Sequence, residues 1–208
     1  MEAIRVHEVG GPEVLRREDV QQPKPGSGQA LVRIEAAGIN YIDIYYRTGQ
    51  YRADLPLTLG QEAAGRVEAI GPDVTEVQAG DRVAYVLEQG AYAQFAIVPA
   101  WKLVRVPDAV DLRLAAAVML QGMTAHYLSR STYPIKSGDI VLVHAAAGGV
   151  GALLAQLAKR QGARVIGTVG SEAKARDALA SGADDIILYS EVDFAAEVRR
   201  ITGGRGVD

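Results

Sequence analysis

The 208-residue sequence predicts an α/β protein in two parts, a strand-rich first part and a parallel β-α-β second part. Two observations predict it. Short segments of alternating apolar and polar residues recur between positions 3 and 106, punctuated by glycine and proline. From position 140 an apolar run enters a glycine-rich turn, a helical pattern follows, and a second apolar run closes the unit. Composition agrees: with 49% hydrophobic residues, 23% charged residues and a net charge of −3, the chain has the balance of a soluble globular protein of one or two domains. No uncharged apolar run is long enough to span a membrane, and Met1-Glu2-Ala3-Ile4-Arg5 lacks the form of a signal peptide. The cytoplasm is therefore the expected location. With no cysteine, disulfides and thiolate metal sites are excluded. The mild acidity argues against a general nucleic-acid surface.

In the first part, Ala3 to Val9 alternates as a strand and Gly10-Gly11-Pro12 turns the chain. Pro23 to Gly28 reads as a loop, and Ala30 to Ala36 as a strand with Leu31, Val32 and Ile34 as apolar members. Ala64 to Ile70, Asp81 to Leu87, Tyr92 to Val98 and Leu103 to Val106 are further short strands, whose spacing predicts a small irregular β-barrel. Asp111 is placed to cap a helix containing Leu112 to Met119. Gly122 is expected to interrupt it, with a second helix over Met123 to Ser129. The pattern changes near residue 130, and the domains are drawn as 1–125 and 126–208, Ser137-Gly138-Asp139 turning into the second pattern.

The second part carries the most specific pattern. The strand Ile140 to His144 runs into Ala146-Ala147-Gly148-Gly149-Val150-Gly151, which fits the dinucleotide fingerprint with alanine in place of its first glycine. Side-chain-free positions let backbone amides approach a pyrophosphate, and the positive end of the following helix faces that anion. The helix is read from Ala152 to Gln161, with Leu153, Leu154, Leu157 and Ala158 on one stripe and Gly162 ending it. Arg164 to Val169 is then a buried strand. An NAD-binding unit places an acid about 20 residues past the glycines to hold the ribose diol. Here Thr168-Val169-Gly170-Ser171 offers no carboxylate, and Lys174 and Arg176 follow. That pattern favours NADPH, because a lysine supplies a point charge to a 2′-phosphate. Glu172 runs against this reading, and Lys174 and Arg176 also read as a solvated helix face.

Four blocks in order carry a family resemblance: Gly38-Ile39-Asn40-Tyr41-Ile42-Asp43, Gly60-Gln61-Glu62-Ala63-Ala64-Gly65, Ala79-Gly80-Asp81-Arg82-Val83 and Ala145 to Gly151. Together they resemble the zinc-free quinone oxidoreductases of the medium-chain dehydrogenase/reductase superfamily, over essentially the whole chain. The resemblance implies a GroES-like β-barrel domain followed by a Rossmann-type domain, with NADPH in the cleft between them. Zinc-dependent members carry cysteine at the position of Asn40 and histidine at that of Gln61, and typically a further cysteine near Leu120-Gln121. No metal is therefore expected, and His7, His126 and His144 are read as packing or surface residues.

The resemblance also implies site residues. Tyr41, Ile42, Asp43, Ile44 and Tyr45 would contact the nicotinamide side, and Thr124 and Tyr127 its ribose or phosphate. Gly148, Gly149 and Val150 would cradle the pyrophosphate. Gly170, Ser171 and Lys174 would surround the 2′-phosphate, and Tyr189 would flank the adenosine end. Tyr189 reads equally well as a strand-end aromatic after Ile186-Ile187-Leu188. For an acceptor that needs no Lewis acid, Asn40, Tyr45 and Tyr51 are the polar groups expected to line the pocket. Tyr45 and Tyr51 also read as barrel and surface aromatics. Family members continue past Gly203-Gly204-Arg205-Gly206-Val207-Asp208 into a second half-sheet, so the Rossmann-type domain is expected to be truncated at its C-terminus. Their usual homodimer edge lies in that later part. The expected reaction is NADPH-linked reduction of a small-molecule quinone. The alternatives are a zinc-free enone or enoyl-thioester reductase, and a non-catalytic NADPH-binding structural or RNA-interacting relative.

Overall fold

The computed structural model describes all residues from Met1 to Asp208. They form two compact units, Met1–Leu120 and Gln121–Asp208, so the division falls slightly before the expected boundary at 125/126. No linker composition marks it because a helix runs through it. No helix is long and apolar enough to cross a membrane.

The first unit is built from antiparallel strands. They are β1 (Glu2–Val6), β2 (Arg16–Asp19), β3 (Gln29–Ala37), β4 (Leu57–Thr58), β5 (Glu62–Ile70), β6 (Arg82–Val86), β7 (Phe95–Pro99) and β8 (Val104–Arg105). A five-stranded sheet has the order β7-β3-β5-β6-β8, and a three-stranded sheet the order β2-β1-β4. An isolated bridge pairs Ala3 of β1 with Ala93, just before β7. The inward residues Val32, Val67, Val83, Tyr85 and Val98 pack into one core, which the period-two alternation of the strands requires. The predicted strands are present with shifted ends: β1 stops at Val6 and β7 starts only at Phe95. The short edge strands β2 and β4 and the helix α1 (Tyr41–Arg47) were not read from sequence, having too few residues to show a period.

Asp111 caps the next helix as expected, accepting from the Arg113 amide at 2.7 Å and the Leu114 amide at 3.4 Å. The expected break at Gly122 does not occur: α2 runs unbroken from Leu112 to Tyr127. Ala115, Ala116 and Ala125 are buried along it, and that packing outweighs the roughly 1 kcal/mol that an interior glycine costs. A π-helical turn, Leu128–Thr132, extends it.

The second unit is a three-stranded parallel sheet of order β11-β10-β9, made by β9 (Ile140–Val143), β10 (Arg164–Val169) and β11 (Asp185–Leu188). The connecting helices are α3 (Gly149–Arg160) and α4 (Glu172–Ala180), and α5 (Phe194–Ile201) follows the last strand. Val165 and Val169 of the central strand pack with Ala155, Ala158, Ala175 and Ala178 from α3 and α4. Ile166 faces the other way, against Ile187 and Val198 of α5. Helices thus cover both faces of a parallel sheet, which accounts for the continuous apolar character of β10. Helix α3 begins three residues before the expected Ala152, inside the glycine turn, and Gly162 at φ +86° ends it.

Two predictions follow from this packing. Gly65 on β5 lies opposite Ile34 next to a shift in the β3–β5 register, and a Cβ there would stand 2.0 Å from the Arg33 carbonyl oxygen. Gly65→Ala is expected to destabilise the first unit by about 1–3 kcal/mol, read as a lower urea midpoint. In the second unit, Asp184 accepts from Lys159 Nζ at 2.7 Å and from the Val165 amide at 2.7 Å. Burial pushes this carboxyl up, but the lysine and the amide outweigh it and hold it below its usual range. Its stabilising contribution is present above the unfolded carboxyl value of about 4 and disappears as pH falls through the lower folded value. Melting temperature measured from pH 6 to pH 2 should therefore show a smaller acid loss for Asp184→Asn than for the parent chain.

Candidate functional site

The turn between β9 and α3 is bare backbone held in a fixed shape. Ala145 takes a left-handed conformation at φ +50°, and its carbonyl accepts from the Gly148 amide at 2.8 Å. The same oxygen would stand 2.3 Å from a Cβ on Gly151, so the first helical turn can approach β9 only as glycine. Gly148 is the N-cap of α3 and no side chain caps the helix. A Cβ on Gly149 would meet Gln121 Cγ at 2.9 Å. The first-turn amides and the helix dipole leave partial positive charge at this end, a ready cradle for a phosphate. Gly148 and Gly149 are exposed there, and Val150 is half-buried.

A second group gathers where β10 and β11 end. Ser171 caps α4, its Oγ accepting from the Lys174 amide at 3.4 Å. The Tyr189 amide donates to the Val169 carbonyl at 3.2 Å, and its phenol oxygen lies 2.6 Å from where a Gly170 Cβ would be. Gly170, Ser171 and Tyr189 therefore meet at one edge, with the tyrosine over half exposed and Lys174 exposed on the first turn of α4. Glu172 is exposed on α4 rather than turned inward. An adenine dinucleotide with a 2′-phosphate fits this arrangement: an amide-lined turn for one phosphate, a serine and a lysine for another, and an exposed tyrosine ring between strand ends. Thr124 is half-buried and Tyr127 exposed on α2, one turn apart.

In the first unit the residues of α1 separate into two sets. Tyr41 is 78% exposed, Ile44 is exposed and Ile42 and Tyr45 are half-buried. After α1 the chain folds back, the Tyr51 amide donating to the Tyr45 carbonyl at 3.0 Å. This sets the Tyr51 ring edge-to-face against both Tyr45 and Tyr46, each with centroids 5.5 Å apart. Tyr45 and Tyr51 are thus brought together although helical periodicity does not align them. Asn40 and Asp43, expected beside the acceptor and the nicotinamide, are 7% and 5% exposed and hydrogen-bond within the fold. The Asn40 carboxamide donates to Glu62 at 2.9 Å, and the Asp43 carboxylate accepts from the Asn40 amide at 3.0 Å and from the Tyr92 phenol at 2.7 Å. The reason is local: Asn40 and Asp43 form the inward face of the first helical turn. Burial, and then the adjacent Asp43 carboxylate, push the Tyr92 phenol above its usual range.

Glu62, fully buried, also accepts from the Leu120 amide at 2.5 Å, tying α1, β5 and α2 together. Neither Glu62 nor Tyr92 was singled out from sequence, because only the folded chain brings positions 40, 43, 62, 92 and 120 together. Gln61 is buried, and its carbonyl accepts from the Leu87 amide at 2.8 Å. The three histidines stand apart: His7 on Glu18, His144 on Thr168, and His126 exposed on α2.

Comparison with known proteins agrees with this architecture. Residues 26–108 match the family model of the alcohol dehydrogenase GroES-like domain, and residues 149–208 that of zinc-binding dehydrogenase. A quinone oxidoreductase of Pseudomonas aeruginosa is 48% identical over 198 residues, which cover 94% of this chain and 61% of that protein. A 2-haloacrylate reductase of a Burkholderia species is 45% identical, with 99% of this chain and 64% of that protein covered. The crystal structure of Escherichia coli quinone oxidoreductase complexed with NADPH superposes with a TM-score of 0.97 at 44% identity, covering 100% of this chain and 64% of that one. The chain thus spans about three fifths of the length of the curated relatives it matches. Sharing both domain types in the same order, together with this level of identity, the chain belongs to the quinone oxidoreductase family of the medium-chain dehydrogenase/reductase superfamily.

Proposed function

We propose that this chain binds NADPH on its second unit and serves the reduction of a small-molecule quinone, acting in the cytoplasm. One observation supports the cofactor assignment: Gly170, Ser171 and Tyr189 gather past the end of β10, which itself ends without a carboxylate, with Lys174 exposed on the first turn of α4, beside a sheet whose first helix starts on uncapped glycines. A quinone acceptor is supported by the names of the similar proteins.

Bound NADPH supplies a hydride from its nicotinamide ring. The chain's own part is mainly positioning. Amides at Gly149 and Val150 would hold the pyrophosphate, and Ser171 and Lys174 the 2′-phosphate. Thr124 and Tyr127, with Tyr41, Ile42, Ile44 and Tyr45 of α1, would flank the nicotinamide end. Tyr45 and Tyr51, already edge-to-face, would stack on a flat acceptor and offer phenol hydrogen bonds. The one proton that a quinone takes up after receiving the hydride would come from water. In this reading Asn40 and Asp43 shape α1 from inside. A second reading, reduction of an activated C=C bond, draws on the likeness to the 2-haloacrylate reductase. Fluorescence titration with NADPH, followed by NADPH oxidation with a small ortho-quinone against an enone, separates the two. Binding with no turnover on either acceptor would leave a non-catalytic NADPH-binding protein.

Two variants test the cofactor assignment. Lys174→Ala should weaken NADPH by about tenfold or more and leave NADH within about twofold, since only the phosphorylated ribose meets the lysine. Gly149→Ala should weaken both cofactors alike, by about tenfold, because its methyl group stands among the cradle amides and against Gln121. Equal losses of NADPH and NADH in Lys174→Ala would remove the 2′-phosphate assignment.

A further inference from the structure

On the outer side of α1, the fold-back of Tyr51 creates a concavity of about 510 Å³, lined among others by Val9, Tyr46, Tyr51, Arg52, Asp54 and Leu55. Its walls differ in chemistry. Val9 and Leu55 are apolar and more than 40% exposed, so they offer surface that a ring can cover. Tyr46 and Tyr51 stand edge-to-face with an interplanar angle of 81°, which presents a ring face and a ring edge to whatever enters. Arg52 lines the same space and is exposed.

We propose that this concavity is a binding site for flat aromatic molecules bearing an acidic substituent, with Arg52 as the residue that selects for the negative charge. The chemistry of the lining sets the class. A planar ring of one or two fused cycles covers Val9 and Leu55 and packs against the tyrosines. A carboxylate or sulfonate on its rim meets the guanidinium, whose planar fork matches two oxygens at once. Asp54 opposes this, as the one carboxylate in the lining, and sets the limit on affinity for an anion. It also gives the site a preference for ligands whose charge sits at one edge, near Arg52 and away from Asp54. Because Tyr51 belongs to both this concavity and the acceptor site proposed above, the inference narrows the acceptor class to quinones with an acidic ring substituent. That narrowing rests on the reductase reading; the binding site itself does not.

The test uses the 208-residue chain without cofactor and two probes with the same ring, 2-naphthoate and the uncharged 2-naphthamide, titrated by calorimetry. Naphthoate is expected to bind about tenfold more tightly than naphthamide. Arg52→Gln should abolish that preference and leave naphthamide unchanged, which also reports an intact fold. Asp54→Asn should strengthen naphthoate alone. Equal affinity for the two probes, no binding of either, or a preference that survives Arg52→Gln would overturn the proposal. Selective binding of naphthoate in a chain that fails to bind NADPH would keep the site and remove the reductase reading.

Discussion

The second unit depends on how closely α3 can approach the end of β9. The carbonyl oxygen of Ala145 fixes that distance. It accepts from Gly148 on one side, and on the other it stands where any side chain on Gly151 would have to go. With that contact made, α3 starts inside the glycine turn, its first amides are left without a side-chain cap, and Ala155 and Ala158 reach the central strand. A row of helix-start amides without a side-chain cap and a packed sheet are thus two consequences of one backbone contact. A larger residue at Gly151 would lift the helix from the sheet and disturb both.

The first unit rests on a different device, a carboxylate buried without access to water. Glu62 starts β5 and bonds the Asn40 carboxamide and the Leu120 amide, while Asp43 receives the Tyr92 phenol one layer away. Such groups are tolerated inside a protein when donors meet them, and here the donors are Asn40, Tyr92 and Leu120, far apart in sequence; both Asp43 bonds fall on Oδ2, and Oδ1 has no hydrogen-bond partner. The consequence for function is indirect. Asn40 and Asp43 hold α1 from within, while the aromatic side chains of α1 and of the loop after it lie nearer its surface. The edge-to-face set of Tyr45, Tyr46 and Tyr51 stands on that support.

Both devices bear on what this family can do with one architecture. In the second unit the glycine turn is shaped by backbone contacts, and Gly170, Ser171 and Tyr189 gather at the strand ends. In the first unit the surface around α1 is shaped by side chains of a short helix and of the loop after it. Tyr46 and Arg52 belong to that helix and that loop, and both line the concavity beside them.

Sequence alone determined the parts whose signal is local. Strand, glycine turn, helix and strand from Ile140 to Val169 are readable because a dinucleotide cradle needs bare backbone at fixed spacing, and glycine is visible in a sequence. The cap at Asp111 and the stop at Gly162 were legible for the same reason. Tertiary structure decided what depends on distant partners. Gly122 does not break α2 because buried alanines hold the helix on both sides of it, and no window around Gly122 contains that information. Asn40 and Asp43 look like solvent-facing polar residues until Glu62 and Tyr92 arrive from β5 and the approach to β7. The pairing of Tyr51 with Tyr45 and Tyr46 follows from a chain reversal rather than from any helical period. Local chemistry can be read along the chain, whereas burial is a property of the whole fold, and it is burial that divides these side chains into those that hold the structure and those that stand at its surface.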